Sequence, residues 1–188
     1  MYTKHIFIIR TLRGGGFGSG FGFSLATLDA NGDGRDDLLV GAPFSGTEGR
    51  GGAVFLFINI RGSLRQDAVV EVRGRTQESQ FGLAVTRAGD INRDGFEDFA
   101  VGAPYEEGGG AVYVFLGARE GVAGAPRVGR QWQKAEDLAS QVVRAGDLRG
   151  PGRTHLPLPG HLATLGYSLQ GGMDMDGNGY PGIVLTHI

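Results

Sequence analysis

The chain has 188 residues, enough for one or two domains of ordinary size, with 36 glycines, no cysteine and a formal charge of −2. That composition excludes a disulfide-braced scaffold and gives no general attraction to nucleic acid or to an acidic surface. The glycines follow no collagen period, so they are expected at turns.

The opening, MYTKHIFIIRTLRGGG, holds one short apolar run, Ile6 to Ile9. It is too short for a signal-peptide core or a membrane span, and no later run reaches membrane length. Residues 1–19 are therefore expected to be an irregular N-terminal segment without a secretion or anchoring signal.

From Gly20 onward the chain repeats itself. Phe21-Gly22 returns as Phe81-Gly82, and the nonapeptide DANGDGRDD, Asp29 to Asp37, returns as DINRDGFED, Asp90 to Asp98. After each nonapeptide comes an apolar run ending in Gly-Ala-Pro, LLVGAP to Pro43 and FAVGAP to Pro104. A glycine-rich turn and a second apolar run follow, GGAVFLFI from Gly51 and GGAVYVFL from Gly109. These runs are short, rich in Val, Phe and Ile, and bounded by Gly and Pro, which predicts strands and no helix of useful length. A weaker fourth strand is expected near Ala68 to Val72. Four antiparallel strands in a unit of roughly sixty residues predict a blade of a β-propeller, with the nonapeptide as the hairpin between its first two strands. The small pair Gly41-Ala42, like Gly102-Ala103, suits close packing against a neighbour; Pro43 and Pro104, lacking an N–H, are expected to end the strand.

The units are expected at residues 20–80, 81–164 and 165–188. The second holds SQVVRAG, Ser140 to Gly146, which resembles an outer strand, and an expected inserted loop at 149–161. In the third, Leu165-Gly166 stands in for Phe-Gly, DMDGNGYPG runs from Asp174 to Gly182, and GIVLTHI replaces the apolar run with Gly-Ala-Pro.

Both complete nonapeptides read DxNxDGxxD. Oxygen side chains at the first, third, fifth and ninth places, with a free seventh carbonyl, suit Ca2+, which takes six to eight oxygens at roughly 2.3–2.6 Å. Gly34 and Gly95 at the sixth place free the backbone for the sharp turn. The expected ligands are Asp29, Asn31, Asp33, the Arg35 carbonyl and Asp37 in the first loop, and Asp90, Asn92, Asp94, the Phe96 carbonyl and Asp98 in the second. The third keeps Asp174, Asp176, Asn178 and the Tyr180 carbonyl, but has Gly182 at the ninth place. A loop rich in Asp, Asn and Gly is often only a turn; the matching recurrence favours the cation. An EF-hand needs a twelve-residue loop ending in Glu between helices, and here the twelfth residues are Val40 and Val101, with strands on either side.

Phe21 and Phe81 are expected in the core at blade junctions, and Trp132, in a charged stretch, partly exposed. His5, His155, His161 and His187 show no zinc spacing, and neither a GxSxG motif, a phosphate-binding loop nor a Cys/His nucleophile pair occurs. No enzyme activity is expected, and no RGD sequence occurs.

The ordered set FG, DxNxDGxxD, GAP resembles the FG-GAP repeats of the seven-bladed propeller that heads integrin alpha subunits. The stretch LGYSLQGGMDMDGNGYP, Leu165 to Pro181, looks like the last blade of that family. The resemblance covers Gly20 to about Leu185 and implies an all-β fold, the last three blades of such a propeller, with Ca2+ on the residues named above. It implies a cell-adhesion glycoprotein on the extracellular side of a single-pass membrane protein, pairing with an integrin beta subunit and binding an extracellular matrix ligand. The alternatives are a non-integrin FG-GAP module of a secreted lectin or hydrolase, or a non-functional truncated product; Gly182, Thr186-His187-Ile188 and the unrelated opening before Gly14 are the departures that suggest truncation.

Overall fold

The computed structural model describes residues 10–47, 50–76, 78–125, 133–149 and 164–186. They form an all-β arc of three main sheets, as the repeat predicts, with two short two-stranded ribbons beside them. The first sheet places β1 (Ser24–Leu28), β2 (Asp37–Thr47), β3 (Arg50–Phe57) and β4 (Val70–Arg73) side by side, each antiparallel to the next. The second repeats the plan with β5 (Val85–Gly89), β6 (Asp98–Ala103), β7 (Ala111–Phe115) and β8 (Gln141–Arg144). The third holds β9 (Ser168–Met173) and β10 (Gly182–Thr186). Each nonapeptide is the hairpin between the first two strands of its sheet, and the SQVVRAG stretch supplies the outer strand β8.

Two details depart from expectation. Pro43 does not end β2: the ladder with β3 breaks between Ala42 and Gly46, then resumes to Thr47, so the proline sits at an irregularity and not at a terminus. Pro104 does follow the end of β6. The first sheet gains a fifth strand, Gln133–Lys134, which pairs parallel with β4 and leads into a one-turn helix, Ala135–Leu138. Two residues lying more than fifty positions from their partner strand carry no periodicity to detect. Trp132, residues 1–9 and residues 150–161 of the expected inserted loop lie outside the described residues.

The sheets join through the repeated glycines. The N–H of Gly82 donates to the Gly102 carbonyl of its own sheet at 3.0 Å, as that of Gly22 donates to Gly41 and that of Gly166 to Thr186. The Gly82 carbonyl faces backward: a Cβ on Gly41 would lie 2.1 Å from it, and a Cβ on Gly102 would lie 2.0 Å from the Gly166 carbonyl. The Ser24 hydroxyl donates to the same Gly82 oxygen at 2.8 Å. Parallel bridges Gly52 to Phe81 and Gly110 to Leu165 run beside these contacts.

Behind them lies the core. Phe81 is fully buried, edge-on to Tyr113 at 5.4 Å and to Phe115 at 6.3 Å between ring centroids. Phe21 makes the equivalent contacts with Phe55 and Phe57 but is only half-buried, with Gly14 of the preceding segment packed against it. Phe81 thus lies in the core as expected, and Phe21 only in part. Glu106 is also buried: it accepts the Tyr113 hydroxyl at 2.6 Å and lies 3.6 Å from the Arg144 guanidinium. Burial, then this hydrogen bond and the carboxylate's charge, push the Tyr113 phenol above its usual range.

Gly102→Ala should open the junction between the second and third sheets and cost about 1–3 kcal/mol, because its methyl meets main chain that cannot turn aside. Gly146→Ala, with nothing within 4 Å, should stay within about 0.5 kcal/mol; urea denaturation of the two variants compares them, and equal midpoints would contradict the junction. The arc also leaves Phe17, Phe23, Leu25 and Phe44 exposed on its first blade and Met173 and Val184 on its third. Open repeat arrays with apolar ends associate, so light scattering of the purified chain should show concentration-dependent self-association and not a monodisperse monomer.

Candidate metal loops

The three nonapeptides stand in a row on one edge of the arc and share one hydrogen-bonded frame. In the first, Asp29 accepts the Asp33 N–H at 3.0 Å on Oδ1 and the Gly34 N–H at 2.7 Å on Oδ2. Asn31 Oδ1 also accepts from Asp33, and Asp33 Oδ1 from Arg35. Asp90, Asn92 and Asp94 repeat this pattern in the second loop. Asp174, Asp176 and Asn178 repeat it in the third. The frame depends on the sixth-place glycines, whose φ values of +78°, +90° and +84° at Gly34, Gly95 and Gly179 lie in the left-handed region.

The ninth-place aspartate is different, and the sequence did not show why. Asp37 and Asp98 are fully buried. Asp37 accepts the Ala30 N–H of its own loop at 3.2 Å and the Asn59 N–H at 2.8 Å. Asp98 does the same with Ile91 and Gly117, both at 2.8 Å. Asn59 and Gly117 each open a short two-stranded ribbon after the third strand of the sheet, so this carboxylate ties the loop to the body of its blade. Burial raises the Asp37 carboxyl to about 6; the amides of Asn59 and Ala30 oppose the shift, while the charges of Asp33 and Asp29 add to it. Burial raises Asp98 likewise, with Gly117 and Ile91 opposing and the Asp94 and Asp90 charges adding.

That arrangement fits a hard cation. Each of the first two loops places carboxylates at its first, fifth and ninth positions, the last of them buried, and among the described residues no basic side chain pairs with Asp37 or Asp98. A buried carboxylate without a counter-charge is costly. Each of its oxygens spends one lone pair on an amide and keeps another. The described residues contain no cluster of three or more Asp, Glu, His or Cys side chains already gathered as a metal site; the donor set here also needs the Asn31 or Asn92 amide oxygen and the seventh-place carbonyl. The third loop has only Asp174 and Asp176 as carboxylates, and Gly182 offers no side chain to its blade.

Comparison with known proteins adds to the geometry. Residues 21–57 and 81–115 match the FG-GAP repeat, the segments that run from each Phe-Gly through the metal loop to the end of β3 or β7. Integrin alpha-3 of Cricetulus griseus is 40% identical over 178 residues, covering 94% of this chain. Integrin alpha ina-1 of Caenorhabditis elegans is 37% identical over 188 residues, covering 93%. The chain belongs with the integrin alpha subunits. It spans 15% of the length of either relative, so this integrin-type segment corresponds to part of a propeller. Integrin alpha-PS2 of Drosophila melanogaster is 37% identical over 187 residues, with 12% of its length covered.

Within this integrin-type segment, Asp98→Ala should destabilise the fold even in chelator, since two N–H groups lose their acceptor at about 1–3 kcal/mol each. Asp94→Ala, at an exposed place in the same loop, should cost less than about 1 kcal/mol under those conditions. Urea denaturation in chelator separates them, and equal costs would deny the ninth residue its structural role.

Proposed function

We propose that this chain is a calcium-stabilised propeller segment of an integrin alpha subunit, corresponding to the last three blades of its head. The observation that carries the calcium reading is the buried ninth-place carboxylate, without a counter-charge among the described residues, at the end of two loops that hold their other oxygen donors in one repeated frame. The residues that would hold the ion are Asp29, Asn31, Asp33, Arg35 through its carbonyl, and Asp37, with Asp90, Asn92, Asp94, Phe96 through its carbonyl, and Asp98 in the next blade. Asp174, Asp176, Asn178 and the Tyr180 carbonyl form a weaker third set. Calcium there supplies charge neutralisation and cross-linking within each loop. The protein's own share is to fix Asp37 and Asp98 at the blade and to keep the exposed donors facing one another through their amide hydrogen bonds.

In the whole receptor such a segment contributes to a head that pairs with an integrin beta subunit and engages matrix ligands at the cell surface. The family relationship supports that reading. Among the described residues no helix is long and apolar enough to cross a membrane, so anchorage would depend on other parts of such a receptor. The domain units 20–80, 81–164 and 165–188 follow the same reading, one blade each.

Isothermal titration of the purified chain should show two calcium ions bound in the ~10⁻⁴–10⁻³ M range of extracellular modules. Asp33→Ala and Asp94→Ala should each remove one. Folded protein that gives no calcium heat would overturn the reading.

A further inference from the structure

We propose that Arg93 of the second loop is a tethered cation for the third, holding that loop closed from the neighbouring blade where the first two are closed by an ion and a ninth-place carboxylate. The inference extends the calcium reading, but the contacts that carry it involve no metal.

The two seams between loops are built differently. At the first, the eighth-place residue of the second loop reaches back: the Glu97 carboxylate accepts the Asp29 N–H at 2.9 Å, and the Glu97 N–H donates to the Asp29 carbonyl at 3.1 Å. At the second seam the eighth place is Pro181, which has neither a carboxylate nor an N–H. Both ties are therefore impossible there.

The fourth place compensates. In the first loop it is Gly32, whose Cα lies so close to the Phe96 ring that a Cβ would be 3.1 Å from it. In the second loop it is Arg93, held at φ +59°, one of four non-glycine residues with positive φ among those described. The fourth place is left-handed in all three loops, with φ +70° at Gly32 and at Gly177, so the loop frame sets the backbone and the second loop alone puts a long side chain on it. Here Arg93 Nη2 donates to the Gly179 carbonyl at 2.6 Å, and its Cζ stands 4.1 Å above the centre of the Tyr180 ring. The guanidinium thus grips the sixth and seventh places of the third loop, beside the carbonyl that would face an ion. A planar cation can stack and donate at once, which an ammonium cannot do in the same geometry.

Charge points the same way. With Asp174 and Asp176 its only carboxylates and Arg93 at its rim, the third loop offers less negative charge than either of the others. The clamp keeps the loop closed without metal and lowers its affinity for a dication.

Hydrogen exchange on the full chain tests the clamp, with the buried strand β7 as the internal standard of folding. In wild type, moving from calcium to chelator should speed exchange in residues 29–37 and 90–98 but leave 174–180 unchanged. Arg93→Gly should speed exchange in 174–180 roughly tenfold in both conditions, the scale of one charged hydrogen bond with an exposed cation–π contact, and leave 29–37 as it was. Arg93→Lys, keeping charge without the planar fork, should recover only part of the protection. Loss of protection at 174–180 in chelator with Arg93 intact, or no response there to Arg93→Gly, would overturn the clamp. If the first two loops ignore chelator while Arg93→Gly still loosens the third, the clamp stands and the calcium reading fails. Calcium titration tests the charge: adding Arg93→Gly to Gly182→Asp should tighten the third site by about threefold to tenfold through lost repulsion, and unchanged or weaker binding would refute that part.

Discussion

Everything in this arc hangs on the approach of one glycine carbonyl to another glycine's Cα. The Gly82 oxygen sits where a Cβ of Gly41 would be, and the Gly166 oxygen where a Cβ of Gly102 would be. The N–H groups of Gly82 and Gly166 turn onto the Gly102 and Thr186 carbonyls of their own sheets. A continuous line of main-chain contacts therefore runs from blade to blade, and it sets the separation at which Phe81 and Leu165 can bury. At the third blade the receiving place is Thr186, whose hydroxyl is turned onto Ser168. That blade still accepts the Gly166 N–H through its backbone, but the bare surface of Gly41 and Gly102 is gone.

The nonapeptide loops depend on that line. Once the blades are spaced by glycine contacts, successive loops come within hydrogen-bonding reach, so Glu97 can hold Asp29 and Arg93 can hold Gly179. Each loop is also tied inward by its ninth residue, which accepts amides from the loop and from the ribbon beyond the third strand. Asp37 and Asp98 thus serve the blade whether or not a cation is bound. The third loop lacks that inward tie, and its grip comes sideways from Arg93. Neighbouring blades therefore share the work of shaping these loops.

Much of this was legible from spacing alone. The recurrence of FG, DxNxDGxxD and GAP placed the hairpins, the order of the strands and the sixth-place glycines, because main-chain requirements of that kind select a residue type at a given position. It also gathered the first, third and fifth oxygens of each loop, since a nine-residue turn keeps its donors local. Two-state patterns such as these need no knowledge of what lies across the seam.

Other features were decided only by the tertiary structure. Gln133–Lys134 pairs with a strand far behind it in the chain, and no local pattern marks so short a segment. Asp37 and Asp98 resemble the exposed Asp33 and Asp94 in sequence, yet they are buried because Asn59 and Gly117 return to them from a different part of the blade. Glu106 is buried where Tyr113 and Arg144 close over it. Arg93 meets a loop more than eighty residues away in the chain. The sequence by itself determined the repeat, its strands and the donors within each loop, all set by neighbours in the chain; the burial of the ninth aspartate and the ties between loops arose only when the blades packed, because those contacts join residues that local spacing never brings together.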